Sequence, residues 1–117
     1  MNYGYINVND TLKNYTNSQS WHRHILGMFY SDGIKGMCEI FQCYWLLNMI
    51  VNYQNELEKE EFQLWSFYKL DDGSAILICE DGYFNILRLQ EIPYTDIEAN
   101  EAKIWVEFNL ILLPSEH

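Results

Sequence analysis

The spacing of apolar residues changes midway along this chain of 117 residues. In the first half, Ile34, Met37, Ile40 and Phe41 recur at intervals of three and four, the spacing of one face of an α-helix. Residues 44–51 follow and are apolar at nearly every position. This pattern predicts a helix that protein surrounds on most of its sides.

The residues before that helix carry weaker signals. The cluster Asn9-Asp10-Thr11 precedes Leu12 and Tyr15, and it predicts a short capped helix over about 10–16. Residues 17–20 are polar and predict a loop. Residues 21–30 are compatible with either a helical stripe or a short extended segment, and Ser31-Asp32-Gly33 predicts a turn that caps the next helix.

The second half has the short period of β-strands. Asp71-Asp72-Gly73 and Glu80-Asp81-Gly82 are strong turn signals between apolar segments. The sequence therefore predicts an α+β fold in which N-terminal helices pack on a C-terminal antiparallel β-meander of four or five strands. We expect one domain over 1–117, with residues 1–54 mainly helical and residues 62–113 forming the sheet. The predicted strands are 62–68, 75–79, 83–92, 104–108 and 110–113.

Composition supports a single folded body. Hydrophobic residues make up 49% of the chain, enough for a proper core. The longest apolar stretch is too short for the ~20 residues that a bilayer span needs, and we expect no membrane association. Cys38, Cys43 and Cys79 are odd in number and lie in apolar surroundings, which argues against a disulfide framework. These features favour a reduced, cytoplasmic setting.

The net charge of −10 comes entirely from the second half of the chain. Residues 1–54 contain equal numbers of acidic and basic side chains, whereas residues 55–117 contain 14 acids and four bases, so 4 − 14 = −10. An acidic protein lacks the cations that neutralise phosphates, so direct nucleic-acid binding and anionic membranes are not expected. A basic protein surface is the expected partner, although acidity can also serve solubility alone.

No residue pattern predicts catalysis, a metal site or a cofactor. His22 and His24 are two apart, but no third ligand has suitable spacing, so we expect an ordinary surface pair. Cys38 and Cys43 are expected to be small core residues. The paired carboxylates lie at turns, where solvated acids are usual and a general acid is out of place.

Contact with a partner is the remaining role for the acidic half. Its turns and the aromatic side chains beside them combine charge with large apolar surface, which is typical of protein interfaces. Trp65 and Tyr83 are candidate aromatic anchors. The candidate acidic contacts are Glu56, Glu58, Glu60, Glu61, Asp71, Asp72, Glu80 and Asp81.

Several strings, taken in order, resemble a small uncharacterised family of proteins from bacterial phages, plasmids and other mobile elements. They include Tyr30-Ser31-Asp32-Gly33-Ile34-Lys35, Tyr44-Trp45-Leu46-Leu47, Glu61-Phe62-Gln63-Leu64-Trp65, Glu91-Ile92-Pro93-Tyr94-Thr95-Asp96 and Leu112-Leu113-Pro114-Ser115-Glu116. The resemblance implies a mobile-element accessory protein. Some such proteins are similar to inhibitors of host defence, including anti-CRISPR proteins that occupy the basic nucleic-acid channel of a nuclease.

Two functions follow from this resemblance. The first is inhibition of a host defence nuclease by protein–protein contact, with an RNA-guided, RNA-targeting effector as the expected target. The alternative is a non-enzymatic accessory role in phage or plasmid replication or transfer, with self-association through the aromatic face. In either case we expect a monomer or a weak homodimer in the bacterial cytoplasm.

Overall fold

One sheet of seven strands organises the molecule, and the computed structural model describes it over residues 4–117. The strands lie in the order β1-β2-β7-β6-β3-β4-β5. The α+β class is therefore confirmed. The strands are β1 (Trp21–Arg23), β2 (Phe29–Ser31), β3 (Phe62–Lys69), β4 (Ala75–Glu80), β5 (Ile86–Ile92), β6 (Glu101–Glu107) and β7 (Leu110–Leu112). The helices are α1 (Val8–Thr11), α2 (Asp32–Ile40) and α3 (Tyr44–Asn52), with 3₁₀ turns at Gln54–Glu56 and Pro114–Glu116.

The five predicted C-terminal strands are present, but they do not form a simple meander. Strands β3, β4 and β5 follow one another through tight turns, and β6 then returns to pair with the opposite edge of β3. The resulting order β6-β3-β4-β5 is that of a Greek key. The return over residues 93–100 places β6 at the centre of the sheet, where both of its edges can be paired.

The N-terminal half also contributes to the sheet, which the sequence did not indicate. Strands β1 and β2 form an antiparallel hairpin, and β2 pairs in parallel with β7 through Phe29 and Leu110. The prediction that helices lie only N-terminal to the sheet is thus wrong, because α2 and α3 lie between β2 and β3 along the chain. Residues 21–30, left open between helix and strand, are extended at both ends.

The single predicted central helix is two helices. The side chain of Ser31 accepts a hydrogen bond from the N–H of Ile34 and caps α2, as the turn signal predicted. Gln42 has a φ of 52°, in the left-handed region, and this conformation ends α2 before α3 begins at Tyr44. The break lets two nine-residue helices pack on the same sheet.

The first helix is shorter and earlier than predicted. It spans Val8–Thr11 and is capped by Asn7, whose side chain accepts from the N–H of Asn9. The side-chain amide of Asn9 pairs with Lys103 in the manner of a strand, because it donates to the Lys103 carbonyl at 3.0 Å and accepts from its N–H at 2.7 Å. The N-terminal segment thereby occupies the part of the β6 edge that β7 leaves open.

The core lies between the helices and one face of the sheet. Paired positions share a sheet face, so Trp65 and Phe67 of β3 point to the same side as Cys79 and Leu77 of β4. These side chains join the buried residues of α2 and α3 in one cluster, and Trp45 of α3 stacks edge-on against Phe67 with ring centroids 6.1 Å apart. Over the described residues, no helix has the length and apolarity needed to cross a bilayer.

Candidate protein-interaction surface

Three hairpin loops, β1–β2, β4–β5 and β6–β7, emerge at the end of the sheet where β3 begins. The register pairs Phe62, the first residue of β3, with Glu107, which places the β6–β7 loop beside it. The pairing of Leu64 with Glu80 brings the β4–β5 loop to this end, and the parallel β2–β7 pair brings the β1–β2 loop. We call this surface, formed by residues 24–28, 54–61, 80–85 and 107–109, the hairpin end.

The hairpin end carries most of the strongly exposed apolar side chains of the described chain. Ile25 and Phe84 are each 93% exposed, Tyr83 is 82% exposed and Phe108 is 70% exposed. Among the large hydrophobic side chains exposed by more than two thirds, only Tyr94, at 72%, lies elsewhere. Monomeric proteins scatter such residues, so their concentration on one end is typical of an interaction surface.

Two of these aromatic side chains are held by an unfavourable backbone conformation. Phe84 has a φ of 68° and Phe108 a φ of 55°, both in the left-handed region that a bulky residue rarely adopts. Glycine or asparagine relieves this strain in most hairpin turns. Backbone strain of this kind persists where the surrounding structure enforces it and is often associated with function.

Asp81 fixes the loop that presents Tyr83 and Phe84. Its carboxylate accepts hydrogen bonds from the Tyr83 N–H at 2.7 Å and from the side-chain amide of Asn85 at 2.8 Å. These hydrogen bonds lower the pKa of Asp81 below its usual value, and the one from the Asn85 side chain has a larger effect than the one from the Tyr83 N–H. At neutral pH this carboxylate is therefore ionised and orders the loop.

A cavity of about 340 Å³ joins two loops of the hairpin end. Met28 from the β1–β2 loop, Phe108 from the β6–β7 loop and Leu57 supply its apolar lining. Glu58, Glu60 and Glu61 also line this cavity. The arrangement can take an apolar side chain into a recess bordered by negative charge.

The predicted acidic contacts divide between the two ends of the sheet. Six of them lie at the hairpin end, namely Glu56, Glu58, Glu60, Glu61, Glu80 and Asp81. Asp71 and Asp72 lie in the β3–β4 turn at the opposite end, about 26 Å away along the eight residues of β3. Asp72 accepts from the hydroxyl and the N–H of Ser74, so it orders its own turn. A single flat partner surface therefore does not engage all eight.

Trp65 is not an exposed anchor. It is 1% exposed, and its indole N–H donates to Oε1 of Gln63 at 2.9 Å. Gln63 in turn exchanges hydrogen bonds with the side chain of Gln54, whose position in the 3₁₀ turn is thereby tied to β3. The prediction for Trp65 is wrong because it points to the helix-covered face of β3. The network instead fixes where the acidic segment 56–61 begins.

Most basic side chains of the second half are already bound within the molecule. Lys69 donates to the carbonyl of Ile97 at 2.8 Å, and Lys103 bonds to the hydroxyls of Ser66 and Tyr68. Arg88 lies 3.2 Å from the Glu56 carboxylate. Lys59 is the exposed cation of the hairpin end, where Glu56, Glu58 and Glu61 are also exposed. The electrostatic surface of this end is consequently negative.

The two histidines bind different helices and do not converge. Nε2 of His22 lies 2.8 Å from the carboxylate of Asp32 in α2. His24 is buried: its Nδ1 accepts from the N–H of Leu26, so Nε2 carries the proton and donates to Oδ1 of Asn48 in α3 at 2.7 Å. The expected surface pair is thus wrong for His24. Over residues 4–117 no three His, Cys, Asp or Glu side chains form a possible metal site.

The three cysteines are buried and free, as expected for core residues. A hydrogen bond with Cys43, followed by burial, raises the pKa of Cys38. Burial raises the pKa of Cys79 to about 12. Neither thiol has the ionised form that nucleophilic chemistry needs near neutral pH.

Sequence reasoning did not single out the apolar residues Ile25, Leu26, Phe84 and Phe108. A usable signal was present, because Phe84 and Phe108 stand where hairpin turns normally carry polar residues or glycine. Phe84 and Phe108 lie at the ends of predicted strands, directly beside the turns, where a large apolar side chain has no core to enter. It is therefore a candidate for external contact.

Comparison with family models gives one match over residues 6–117, to a model described as "Family of unknown function (DUF6876)". Searches of curated proteins and of solved structures give no match.

Proposed function

We propose that this chain, which belongs to the family of unknown function DUF6876, is a binding protein without catalytic activity that attaches through its hairpin end to a basic protein surface. The observation that carries the proposal is the concentration of Ile25, Tyr83, Phe84 and Phe108 on one end of the sheet, among seven carboxylates that include Glu107. Neither feature alone would suffice. Together they match an interface with an apolar centre and a charged surround.

The two kinds of side chain have separate physical roles in this proposal. The exposed aromatic rings supply the contact energy, because burying them removes large apolar surface from water with little loss of side-chain entropy. The carboxylates raise the rate of encounter with a Lys- and Arg-lined surface and exclude acidic competitors. The target is therefore a protein with an apolar recess beside basic residues.

A nucleic-acid channel is the kind of basic surface that fits this description best. Such channels carry closely spaced Lys and Arg residues, and an acidic protein seated there would compete with the phosphate backbone. We accordingly propose that the chain inhibits a nuclease of a bacterial defence system, with RNA-guided, RNA-targeting effectors as the first class to test. The mobile-element context implied by the sequence resemblance supports this choice of targets.

The test pairs a hairpin-end variant with a matched control. Purified protein is added to RNA-guided nucleases, and both cleavage and direct binding are measured. We expect the wild type to inhibit at least one of them, Phe84→Ser/Phe108→Ser to lose inhibition, and Leu70→Ser, at an exposed apolar position of the β3–β4 turn at the other end, to retain it. Equal inhibition by all three proteins would refute the role of the hairpin end.

Salt dependence tests the electrostatic part separately. Raising the salt concentration from about 50 to about 200 mM shortens the Debye length from roughly 14 to roughly 7 Å. Because the charges are then screened more strongly, binding should weaken several-fold. Self-association through the same aromatic residues is the competing outcome. Light scattering that shows a stable oligomer of the wild type and a monomer of Phe84→Ser/Phe108→Ser, without nuclease affinity, would favour the accessory role instead.

A further inference from the structure

Strand β5 is an open edge of the sheet. It spans the seven residues Ile86–Ile92 and pairs only with β4. The strand at the opposite edge, β1, is shorter and has three residues. Over the described chain, the backbone of β5 has one hydrogen bond outside the β4 ladder, from the Arg88 guanidinium to the Leu87 carbonyl at 2.6 Å. The five residues from Arg88 to Ile92 thus leave alternate N–H and C=O groups of their outer edge available.

A cavity adjoins this edge on the helix side. It has a volume of about 370 Å³. Trp45 and Met49 of α3 line it together with residues 90–96. Gln90 and Ile92 pair with core-facing Leu77 and Ala75, so they point to the same side of the sheet as the helices. A strand added beside β5 would direct every second side chain towards this cavity.

We propose that β5 accepts an extended, basic segment of a partner protein as an eighth strand, with one Lys or Arg side chain of that segment in the cavity beside Trp45. Backbone pairing supplies affinity in this mode of recognition, and pockets for alternate side chains supply specificity. The aliphatic stem would lie on Trp45 and Met49. Its charged head would reach the exposed carboxylate of Asp96.

Charge complementarity favours a basic occupant. Carboxylates stand at both ends of the open edge, with Glu80 and Asp81 before β5 and Glu91 and Asp96 at its far end. The one cation on the strand, Arg88, is paired with Glu56. A second copy of this chain is disfavoured as the occupant, since antiparallel pairing of two β5 strands would place the Asp81 loop of each copy near Glu91 of the other, in molecules that each carry a net charge of −10.

This inference rests on the proposed function only in taking the partner to be a basic protein. The surface differs, because the cavity lies at the end of β5 away from Phe84. The probe is a synthetic peptide of sequence TKVRVKT, acetylated and amidated, added to ¹⁵N-labelled full-length protein. A peptide with the same side chains but N-methylated at its central Val, Arg and Val cannot pair as a strand and serves as the ligand control.

We expect saturable chemical-shift changes at the backbone amides of Arg88–Ile92. The N-methylated peptide should bind at least about tenfold more weakly, and Asp96→Lys should weaken the unmodified peptide several-fold, as expected when pairing and a charged pocket both contribute. The Phe84→Ser/Phe108→Ser variant should bind the peptide like the wild type. Retained peptide binding together with failed nuclease inhibition would therefore refute the proposed function and not this inference.

The following results would overturn the inference. The first is the absence of chemical-shift changes at β5 at a peptide concentration of about 1 mM, which corresponds to the weakest affinity of interest. The second is equal binding of the N-methylated peptide. The third is chemical-shift changes that are confined to the hairpin end. Changes at β5 that depend on protein concentration without any peptide would instead identify a second copy as the occupant, and would also overturn it.

Discussion

The carboxylate of Glu116 accepts a 2.5 Å hydrogen bond from the hydroxyl of Ser31, the residue that caps α2. The same carboxylate accepts from the N–H groups of Gly33 and Leu113, each at 3.0 Å. Glu116 is buried, and it satisfies donors at the start of a helix that have no partner within the helix. A residue near the end of the sequence thus stabilises the first turn of α2.

Replacing Glu116 should therefore destabilise the fold. Glu116→Ala leaves two buried N–H groups and one hydroxyl without their acceptor, and we expect the free energy of unfolding to fall by about 1–3 kcal/mol or more. Urea denaturation followed by tryptophan fluorescence measures this change. Ser115→Ala, at an exposed neighbouring position, should leave stability nearly unchanged, and equal stability of the two variants would contradict the proposed role of the carboxylate.

The close approach of the Glu116 carboxylate to the start of α2 requires glycine at position 33. A Cβ at this position would lie 2.5 Å from Oε1 of Glu116 and 2.8 Å from a methyl group of Leu113. We expect Gly33→Ala to lower the free energy of unfolding by about 1–3 kcal/mol through overpacking, although alanine favours helices. Gly33→Ala combined with Glu116→Ala should be less destabilising than the sum of the two single changes, which a double-mutant cycle measures. Additive effects would show that the two positions do not interact.

Substitutions of the strained aromatic residues at the hairpin end should raise stability and weaken partner binding. Asparagine adopts the left-handed conformation more readily than phenylalanine, so Phe84→Asn and Phe108→Asn should each raise the free energy of unfolding by about 0.5–1 kcal/mol, part of the roughly 1–2 kcal/mol that this conformation costs. Both should weaken partner binding. Thermal unfolding and a binding assay check the two effects. Loss of stability in both variants would show that the rings pack on the protein and do not serve contact.

Acid should open the β4–β5 loop before the fold is lost. Because hydrogen bonds lower the pKa of Asp81 below its usual value of 3.8, its contribution is complete above that value and disappears as the pH falls through the lower, folded-state pKa. We expect amide exchange at Tyr83 and Asn85 to accelerate, relative to the intrinsic rate, only below pH 3.8. Asp81→Asn keeps an acceptor but no charge, so its exchange should not change in this range. Equal pH dependence of both proteins would contradict the assignment.

The cysteines should resist labelling by thiol reagents. Burial raises the pKa of Cys79 to about 12, and all three thiols are inaccessible to solvent. Labelling with a thiol-specific disulfide reagent at pH 8 should therefore proceed at the rate of unfolding and accelerate in urea in parallel with the loss of structure. Rapid labelling of any thiol in the native protein would show an opening that the structure does not contain.

The sequence predicted local structure well where short-range patterns determine it. The cap at Ser31, the Asp-Gly turns and the five C-terminal strands depend on neighbouring residues and are found as predicted, with shifted boundaries. Strands β1 and β2 were left undecided because three residues are too few to show a period. The pairing of β2 with β7 and the return of β6 to β3 join distant segments, and no local pattern encodes them.

The candidate site was predicted in part, for similar reasons. Charge is visible in a sequence, so the acids at Glu58 and Asp81 could be selected, but not the fact that Asp71 emerges at the opposite end. Burial of Trp65 follows from which face of β3 the helices cover. Tyr83 was selected and is exposed, whereas Phe84 beside it was overlooked because a large apolar side chain was assumed to belong to the strand.

The parallel pair of β2 and β7 determines when this protein can complete its fold. Phe29 and Leu110 are partners in the sheet, yet most of the chain must be translated between them. During synthesis, β2 lacks its neighbour and the start of α2 lacks the Glu116 carboxylate until the ribosome has passed residue 116. The domain can therefore close only once residue 116 has left the ribosome, so its β-hairpins stay exposed for longer than those of a domain built from local contacts.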